Sequence, residues 1–212
     1  LSGGNATRIF TVGGSGYLRL SDVTLQNGKD ASGGAILQNS TSSTVKCEAS
    51  TFENNKASAN GGAISSDGTL DIDGCTFEGN QSGDDGGAIY KGSGFPLTIF
   101  GSNFTDNSAG TDPDGQTNGG MGGALVFTGG IVVANITGSR FDGNTATSGS
   151  GDRTGYGGGA IYNDAIMNIT ASVFAGNSVS GDEWHGGALF NTSSGTLSLN
   201  YSHFGITPLP LP

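Results

Sequence analysis

The chain is poor in the residues that carry most nucleic-acid binding and enzyme chemistry. Its 212 residues include only eight Lys and Arg together, two His and one Trp, and the net charge is −10. Because no basic patch can form to release counterions from phosphates, nucleic acid and anionic membrane surfaces are excluded as partners. His185 and His203 have no nucleophile or ligand motif beside them, so the sequence indicates neither a catalytic triad nor a metal site.

Long apolar runs are also missing. No stretch approaches the roughly 18 apolar residues of a membrane span, so membrane insertion is not predicted. The chain begins at Leu1 without a signal peptide, and we interpret it as a mature or trimmed fragment.

Glycine, by contrast, is abundant and repetitive. It accounts for 41 residues, whereas hydrophobic residues make up 33% and charged residues 12%. A globular fold with so much glycine would lose too much chain entropy for the little surface it buries. Gly-Gly-Ala followed by Ile or Leu occurs six times, at Gly33–Ile36, Gly61–Ile64, Gly86–Ile89, Gly122–Leu125, Gly158–Ile161 and Gly186–Leu189. Repetition at this spacing indicates a stacked array of identical units.

A second motif, Phe with Asn three residues later, alternates with the first. Apolar residues precede each Phe by seven and five positions and a small residue precedes it by two, which is the period of short strands. The end units around Leu25 and Phe204 lack the Asn, as terminal repeats often do. The five complete pairs are Phe52 and Asn55, Phe77 and Asn80, Phe104 and Asn107, Phe141 and Asn144, and Phe174 and Asn177.

These patterns predict an all-β fold, a single-stranded right-handed parallel β-helix of about seven coils with three short strands each. The hand follows only from the general preference for right-handed parallel crossovers. The Phe and Asn residues are predicted to form inward structural ladders. The β-helix is expected to span residues 1–205, and the Pro-rich residues 206–212 an extended tail or linker.

Cys47 and Cys75 are predicted to lie on neighbouring coils but at different corners. Two buried free thiols are the favoured interpretation, and a disulfide between them is the alternative.

Eight Asn-X-Ser/Thr triplets make glycosylation a candidate modification. Asn80 belongs to the inward ladder and is expected to stay bare, whereas Asn135 and Asn168 are expected outward on adjacent coils. The full set of glycosylation candidates is Asn5, Asn39, Asn103, Asn135, Asn168, Asn191 and Asn200.

Carboxylates gather at two places. Those in the loops before the Gly-Gly pairs are Asp30, Asp84, Asp85, Asp112, Asp114, Asp152, Asp182 and Glu183. We interpret them as a solvated acidic ridge, with bound calcium as the alternative and no other cofactor expected. Those after the Phe ladder are Glu53, Glu78, Asp106 and Asp142, beside Arg140. An acidic groove of this kind is what a carbohydrate-active β-helix enzyme would use, and the single Trp184 is interpreted as a loop anchor rather than a sugar-stacking ring.

The pairing of Gly-Gly-Ala-Ile with Phe-x-x-Asn, as in Phe77-Glu-Gly-Asn80, resembles the repeats of the chlamydial polymorphic outer-membrane proteins. Similar units occur in other secreted proteins with pectate-lyase-like β-helices. The resemblance runs from Leu18 to Phe204 and implies a surface-exposed scaffold or adhesin without catalytic residues. The function we expect is therefore that of a non-enzymatic β-solenoid, either secreted or at the cell surface. It would act as a glycosylated filament subunit that associates end to end, or as an adhesin that binds another extracellular protein or a glycan. A polysaccharide lyase or hydrolase is the alternative.

Overall fold

A computed structural model describes residues 1–92, 94–115, 119–147, 157–180 and 185–205. These residues form strands and turns only, arranged in seven successive coils. The first three coils contain β1 (Phe10–Val12), β2 (Tyr17–Ser21), β3 (Thr24–Gln26), β4 (Lys29–Asp30); β5 (Ile36–Gln38), β6 (Thr44–Glu48), β7 (Thr51–Glu53), β8 (Lys56–Ala57); and β9 (Ile64–Ser66), β10 (Thr69–Asp73), β11 (Thr76–Glu78), β12 (Gln81–Ser82).

The remaining four coils follow the same order. The fourth and fifth contain β13 (Ile89–Lys91), β14 (Leu97–Phe100), β15 (Asn103–Thr105), β16 (Ser108–Ala109); and β17 (Leu125–Thr137), β18 (Arg140–Asp142), β19 (Thr145–Thr147). The sixth and seventh contain β20 (Gly157–Gly158), β21 (Ile161–Thr170), β22 (Val173–Ala175), β23 (Ser178–Ser180); and β24 (His185–Gly186), β25 (Leu189–Asn191), β26 (Thr196–Asn200), β27 (His203–Gly205).

Each strand pairs in parallel with its equivalent in the neighbouring coil, so the chain is a parallel β-helix, as the sequence predicts. Three long sheets run along the helix, and a fourth sheet has two strands. The largest sheet takes two strands from most coils, so these coils have four strands rather than the three predicted. The largest sheet carries two rows of short strands that fuse into one continuous strand in β17 and β21. The right hand of the coil stays a prediction.

Stacked phenylalanines fill the widest part of the interior. Adjacent rings from Phe52 to Phe174 lie 4.6 to 4.9 Å apart and within 4° of parallel. All five are buried, and the half-exposed Phe204 extends the stack by 4.7 Å. The spacing equals the distance between hydrogen-bonded strands, so backbone pairing alone places each ring over the next.

The asparagines three residues later form an amide ladder inside a corner. Asn80 is representative: its Nδ2 donates to the carbonyl of Phe52 at 2.9 Å and to Oδ1 of Asn107 at 2.9 Å. The backbone N–H of Asn80 donates to the same Oδ1 at 3.1 Å. Since Asn55, Asn107 and Asn144 repeat this pattern, each side chain links three coils and satisfies corner backbone that no strand pairs.

Backbone in the left-handed region turns the chain at the first glycine of several Gly-Gly-Ala motifs, as in Gly61 and Gly86, and at two corners that follow strands. At the second, the residue before the ladder Asn has positive φ, as in Asn54, Gly79 and Gly143. At the first, φ lies between 43° and 60° for Asp22, Ala49, Gly74, Gly101, Gly138, Ala171 and Tyr201. Non-glycine residues occur in both columns, so these corners tolerate a side chain at a modest energetic cost.

Candidate functional surface

The predicted glycosylation asparagines lie on the outside of the β-helix. Asn168 is half-buried and the other six are exposed, whereas Asn80 is fully buried in the amide ladder. Asn135 and Asn168 are register partners, and Nδ2 of Asn168 donates to Oδ1 of Asn135 at 3.1 Å. The outward and inward asparagines are therefore separated by geometry, as the strand alternation requires.

The acidic column beside the Phe ladder is discontinuous. Glu53 and Glu78 are register partners, but Thr105 follows them, then Asp142, then Ala175. Asp106 instead occupies the left-handed corner after the strand. Nη2 of Arg140 lies 2.6 Å from Oδ2 of Asp142, so that carboxylate is already paired. The column therefore presents two adjacent glutamates and one ion pair.

The loop carboxylates are largely engaged in local structure. Arg8 pairs with Asp30 at 3.0 Å, and Lys29 lies 3.7 Å from Asp114. Asp85 is buried, and its Oδ1 accepts the N–H of Met121 at 3.1 Å. Within the described ranges no three Asp, Glu, His or Cys side chains gather closely enough to hold a metal ion. Bound calcium stays a prediction, and Asp152, Asp182, Glu183 and Trp184 lie outside the described residues.

Cys47 and Cys75 are buried free thiols in this structure. Cys47 is in register with Ile72. Cys75 lies in the column of small residues before the Phe ladder, where its N–H donates to the hydroxyl of Ser102 at 3.0 Å. Burial raises the pKa of both thiols, and the nearby Cys75 raises that of Cys47 further. Neither is an activated thiolate, and a disulfide formed on oxidation stays a prediction.

A buried lysine is a feature that the sequence patterns did not reveal. Lys91 has no solvent exposure and lies between Ser66 and Phe127 in an inward column of the largest sheet. Desolvation lowers the pKa of Lys91 from its ordinary value to about 8, and the neighbouring Asp67 opposes this shift. A charged amine inside a narrow core costs stability at neutral pH.

Lys91→Met is expected to gain stability relative to the wild type as pH falls from 10.5 to 7, by about 3 kcal/mol, the linkage free energy of the lowered pKa. The unfolded chain binds this proton more tightly than the folded chain. Stability of the wild type therefore rises with pH from about 8 to about 10.5 and is lowest, for this group, below pH 8. Denaturant unfolding of both proteins between pH 7 and pH 10.5 would show their difference shrinking as pH rises.

Lys56→Met is the matched control, because Lys56 is half-exposed on β8 of the same β-helix. It is expected to change stability little at any pH. A difference between wild type and Lys91→Met that is constant with pH would contradict the role given to the buried charge.

An open cleft lies near the last described coils. It has a volume of about 510 Å³ and is lined by Tyr162, Asp164, Phe190 and the loop from Asn191 to Ser194. The rings of Tyr162 and Phe190 are register partners, 5.7 Å apart and 12° from parallel. The carboxylate of Asp164 accepts hydrogen bonds from the hydroxyls of Thr192 and Ser194. The cleft thus joins an apolar wall to a hydrogen-bond acceptor.

The fold and its interior ladders define a parallel β-helix repeat protein. Three segments, residues 49–67, 74–91 and 138–164, match the Chlamydia polymorphic membrane protein repeat, which confirms the resemblance predicted from the sequence. They make up less than a third of the chain. Each begins at a left-handed corner and runs through one Phe-x-x-Asn and the next Gly-Gly-Ala-Ile, so the chain carries repeats like that of the matched family.

The matched family is described as a membrane-protein repeat, and the chain is similar to it in the residues that build its coils. No curated protein and no solved structure matches the chain. The residues that the structure describes include no helix able to cross a membrane.

Proposed function

We propose that this chain is a non-enzymatic structural or adhesive element displayed outside the cell, either secreted or at the cell surface. The observation that carries the proposal is that the matched segments coincide with the residues that build the coils. In the segment 74–91, Phe77 belongs to the Phe stack, Asn80 belongs to the amide ladder, and Gly86 lies at the turn that follows. The family likeness therefore resides in a rod about 30 Å long, whose outward residues are available for contact.

Immunolabelling of intact source cells tests the proposal. Antibodies against the folded domain are expected to bind unpermeabilised cells or their secreted material. Labelling that requires permeabilisation would contradict the proposal.

Glycosylation is part of the same proposal. When the chain is expressed through a eukaryotic secretory pathway, peptide mass spectrometry is expected to find sugar on Asn135 and Asn168 and none on Asn80. Asn80 is buried and both atoms of its amide are bonded within the ladder, so a glycan there would break the corner. A modified Asn80 beside bare Asn135 and Asn168 would contradict the assignment.

End-to-end association is supported by unequal ends of the described β-helix. At the first coil, the amino group of Leu1 donates to the carbonyl of Thr24 at 2.6 Å and Ser2 bridges to Gln26, which covers β3. At the seventh coil, β25, β26 and β27 each pair with one neighbour in the described part of the chain, and Leu199 and Phe204 are nearly half exposed. Unpaired strand edges of this kind recruit further strands.

A second copy pairing through the seventh coil is the association we propose, and Leu199→Lys is expected to abolish it by placing a charge at the contact. Analytical ultracentrifugation over a concentration series measures the effect, with Lys56→Met as a variant remote from that end. A contact between the seventh coils of two copies makes a closed dimer. A filament would also need the first coil to pair, which requires residues 1–7 to leave that coil. A wild type that stays monomeric at every concentration would refute this association.

A further inference from the structure

We propose that the cleft between Tyr162 and the Asn191–Ser194 loop, defined above by its lining residues, is a binding site for a neutral sugar ring at the end of a glycan. This inference deepens the proposed adhesive function by naming what the surface would hold. It depends on the side chains gathered in one cleft and on no residue of the interior ladders.

The shape and size of the cleft suit a small ligand. Its volume of about 510 Å³ falls within the range of roughly 300 to 1,000 Å³ that small-molecule sites occupy. One wall is formed by the near-parallel rings of Tyr162 and Phe190. A pyranose ring has an apolar face of C–H groups, which packs against aromatic carbon, and hydroxyls around its rim. The cleft offers both kinds of contact within one opening.

The polar side of the cleft is suited to alcohols. The carboxylate of Asp164 accepts from two hydroxyls, those of Thr192 and Ser194, and the oxygen of Ser194 lies 2.5 Å from Oδ1. Two neighbouring hydroxyls of a sugar ring can donate in the same way, and hydrogen bonds to a carboxylate are stronger than those between neutral groups. The exposed Ser194 can turn toward solvent when a ligand hydroxyl replaces it.

Charge selects among sugars. Asp164 lies in the cleft, and the chain carries a net charge of −10. None of the residues that line the cleft is basic. A uronic or sialic acid would place its carboxylate beside Asp164 with nothing to pair it, so the ligand is a neutral hexose.

The loop that closes the cleft is held by its own hydrogen bonds. Nδ2 of Asn191 donates to the carbonyl of Gly195 at 2.8 Å, and Oδ1 of Asn191 accepts from Nδ2 of Asn163 at 2.7 Å. The N–H of Gly195 donates to the hydroxyl of Thr192 at 3.0 Å. Because the buried Asn163 anchors the loop to the core, the walls of the cleft are largely preformed, which lowers the cost of binding.

The experiment is an NMR titration of the labelled full chain with methyl glycosides of glucose, galactose and mannose. At least one is expected to shift backbone amides of residues 162–164 and 190–195 and few others. Phe190→Ala and Asp164→Asn are each expected to weaken that binding by about tenfold. Tyr90→Ala is the matched control, because Tyr90 lies in the same outward column but does not line the cleft, and it should leave binding unchanged.

The alternatives give different outcomes. Shifts produced by tetramethylammonium but by no sugar would make the cleft a cation site and overturn the proposal, as would the absence of any sugar-induced shift at these amides. Equal binding by wild type and a folded Phe190→Ala, Asp164→Asn double variant would overturn it too. Surface labelling of cells is independent of this titration, so failure of the sugar proposal leaves the surface function standing.

Discussion

Asn107→Leu is expected to lower the free energy of unfolding by about 3 to 6 kcal/mol, a large part of the total stability of a domain of this size. Asn107 is fully buried, and its Nδ2 donates to the carbonyl of Phe77 at 3.0 Å and to Oδ1 of Asn144 at 2.9 Å. Its Oδ1 accepts both the backbone N–H and the Nδ2 of Asn80. Leucine has the same number and branching of side-chain heavy atoms, although its methyl groups are bulkier, so most of the loss would come from polar groups left unsatisfied inside the corner.

Chemical unfolding followed by circular dichroism measures this loss. Asn103→Ala is the control, because Asn103 lies on the same coil but is exposed on β15, and it is expected to change stability by less than about 0.5 kcal/mol. Equal effects of the two substitutions would show that the amide ladder does not hold the corner.

The ladder residues could be predicted from the sequence because their residue type is constant at each position. A parallel β-helix puts equivalent residues 4.6 to 4.9 Å apart, as the Phe rings show, so any side chain that fits one coil fits the next. The repetition of Phe and Asn therefore predicted both the coil and the inward direction of these side chains. The corners with left-handed backbone could not be predicted in this way, because their residue type varies. The position of Gly74 is occupied by Ala49 in one coil and by Asp22 in another.

Lys91 and the cleft could not be predicted in the same way. The inward column of Lys91 changes residue type from Ser66 to Lys91 to Phe127, so no period marks Lys91 as buried. The cleft depends on side chains that occur in only one or two coils, with Asp164 on β21 bonded to Thr192 and Ser194 in the loop after β25, one coil further on. Sequence periodicity reports what repeats along one column, whereas a binding site arises where neighbouring coils differ.

Gly87→Ala is expected to have the largest effect of any single substitution considered, a loss of at least about 5 kcal/mol or failure to fold. Gly87 is the second glycine of a Gly-Gly-Ala-Ile motif, and its N–H donates to the carbonyl of Gly122 in the next coil at 3.2 Å. A Cβ at Gly87 would overlap the carbonyl oxygen of Gly123 and lie 2.5 Å from that of Ser108. Both obstacles are backbone atoms held by strand pairing, so neither can move without separating coils.

Gly74→Ala separates this steric effect from the general cost of replacing glycine. Gly74 has φ of 59°, but its Cβ would meet only one atom, the backbone nitrogen of Ala49 at 4.0 Å. Ala49 and Ala171 already occupy the equivalent corner of other coils, so alanine is expected to cost about 1 kcal/mol there. Soluble yield and unfolding midpoint measure both variants. If Gly87→Ala were no more harmful than Gly74→Ala, the close approach of neighbouring coils would not explain why the motif contains its second glycine.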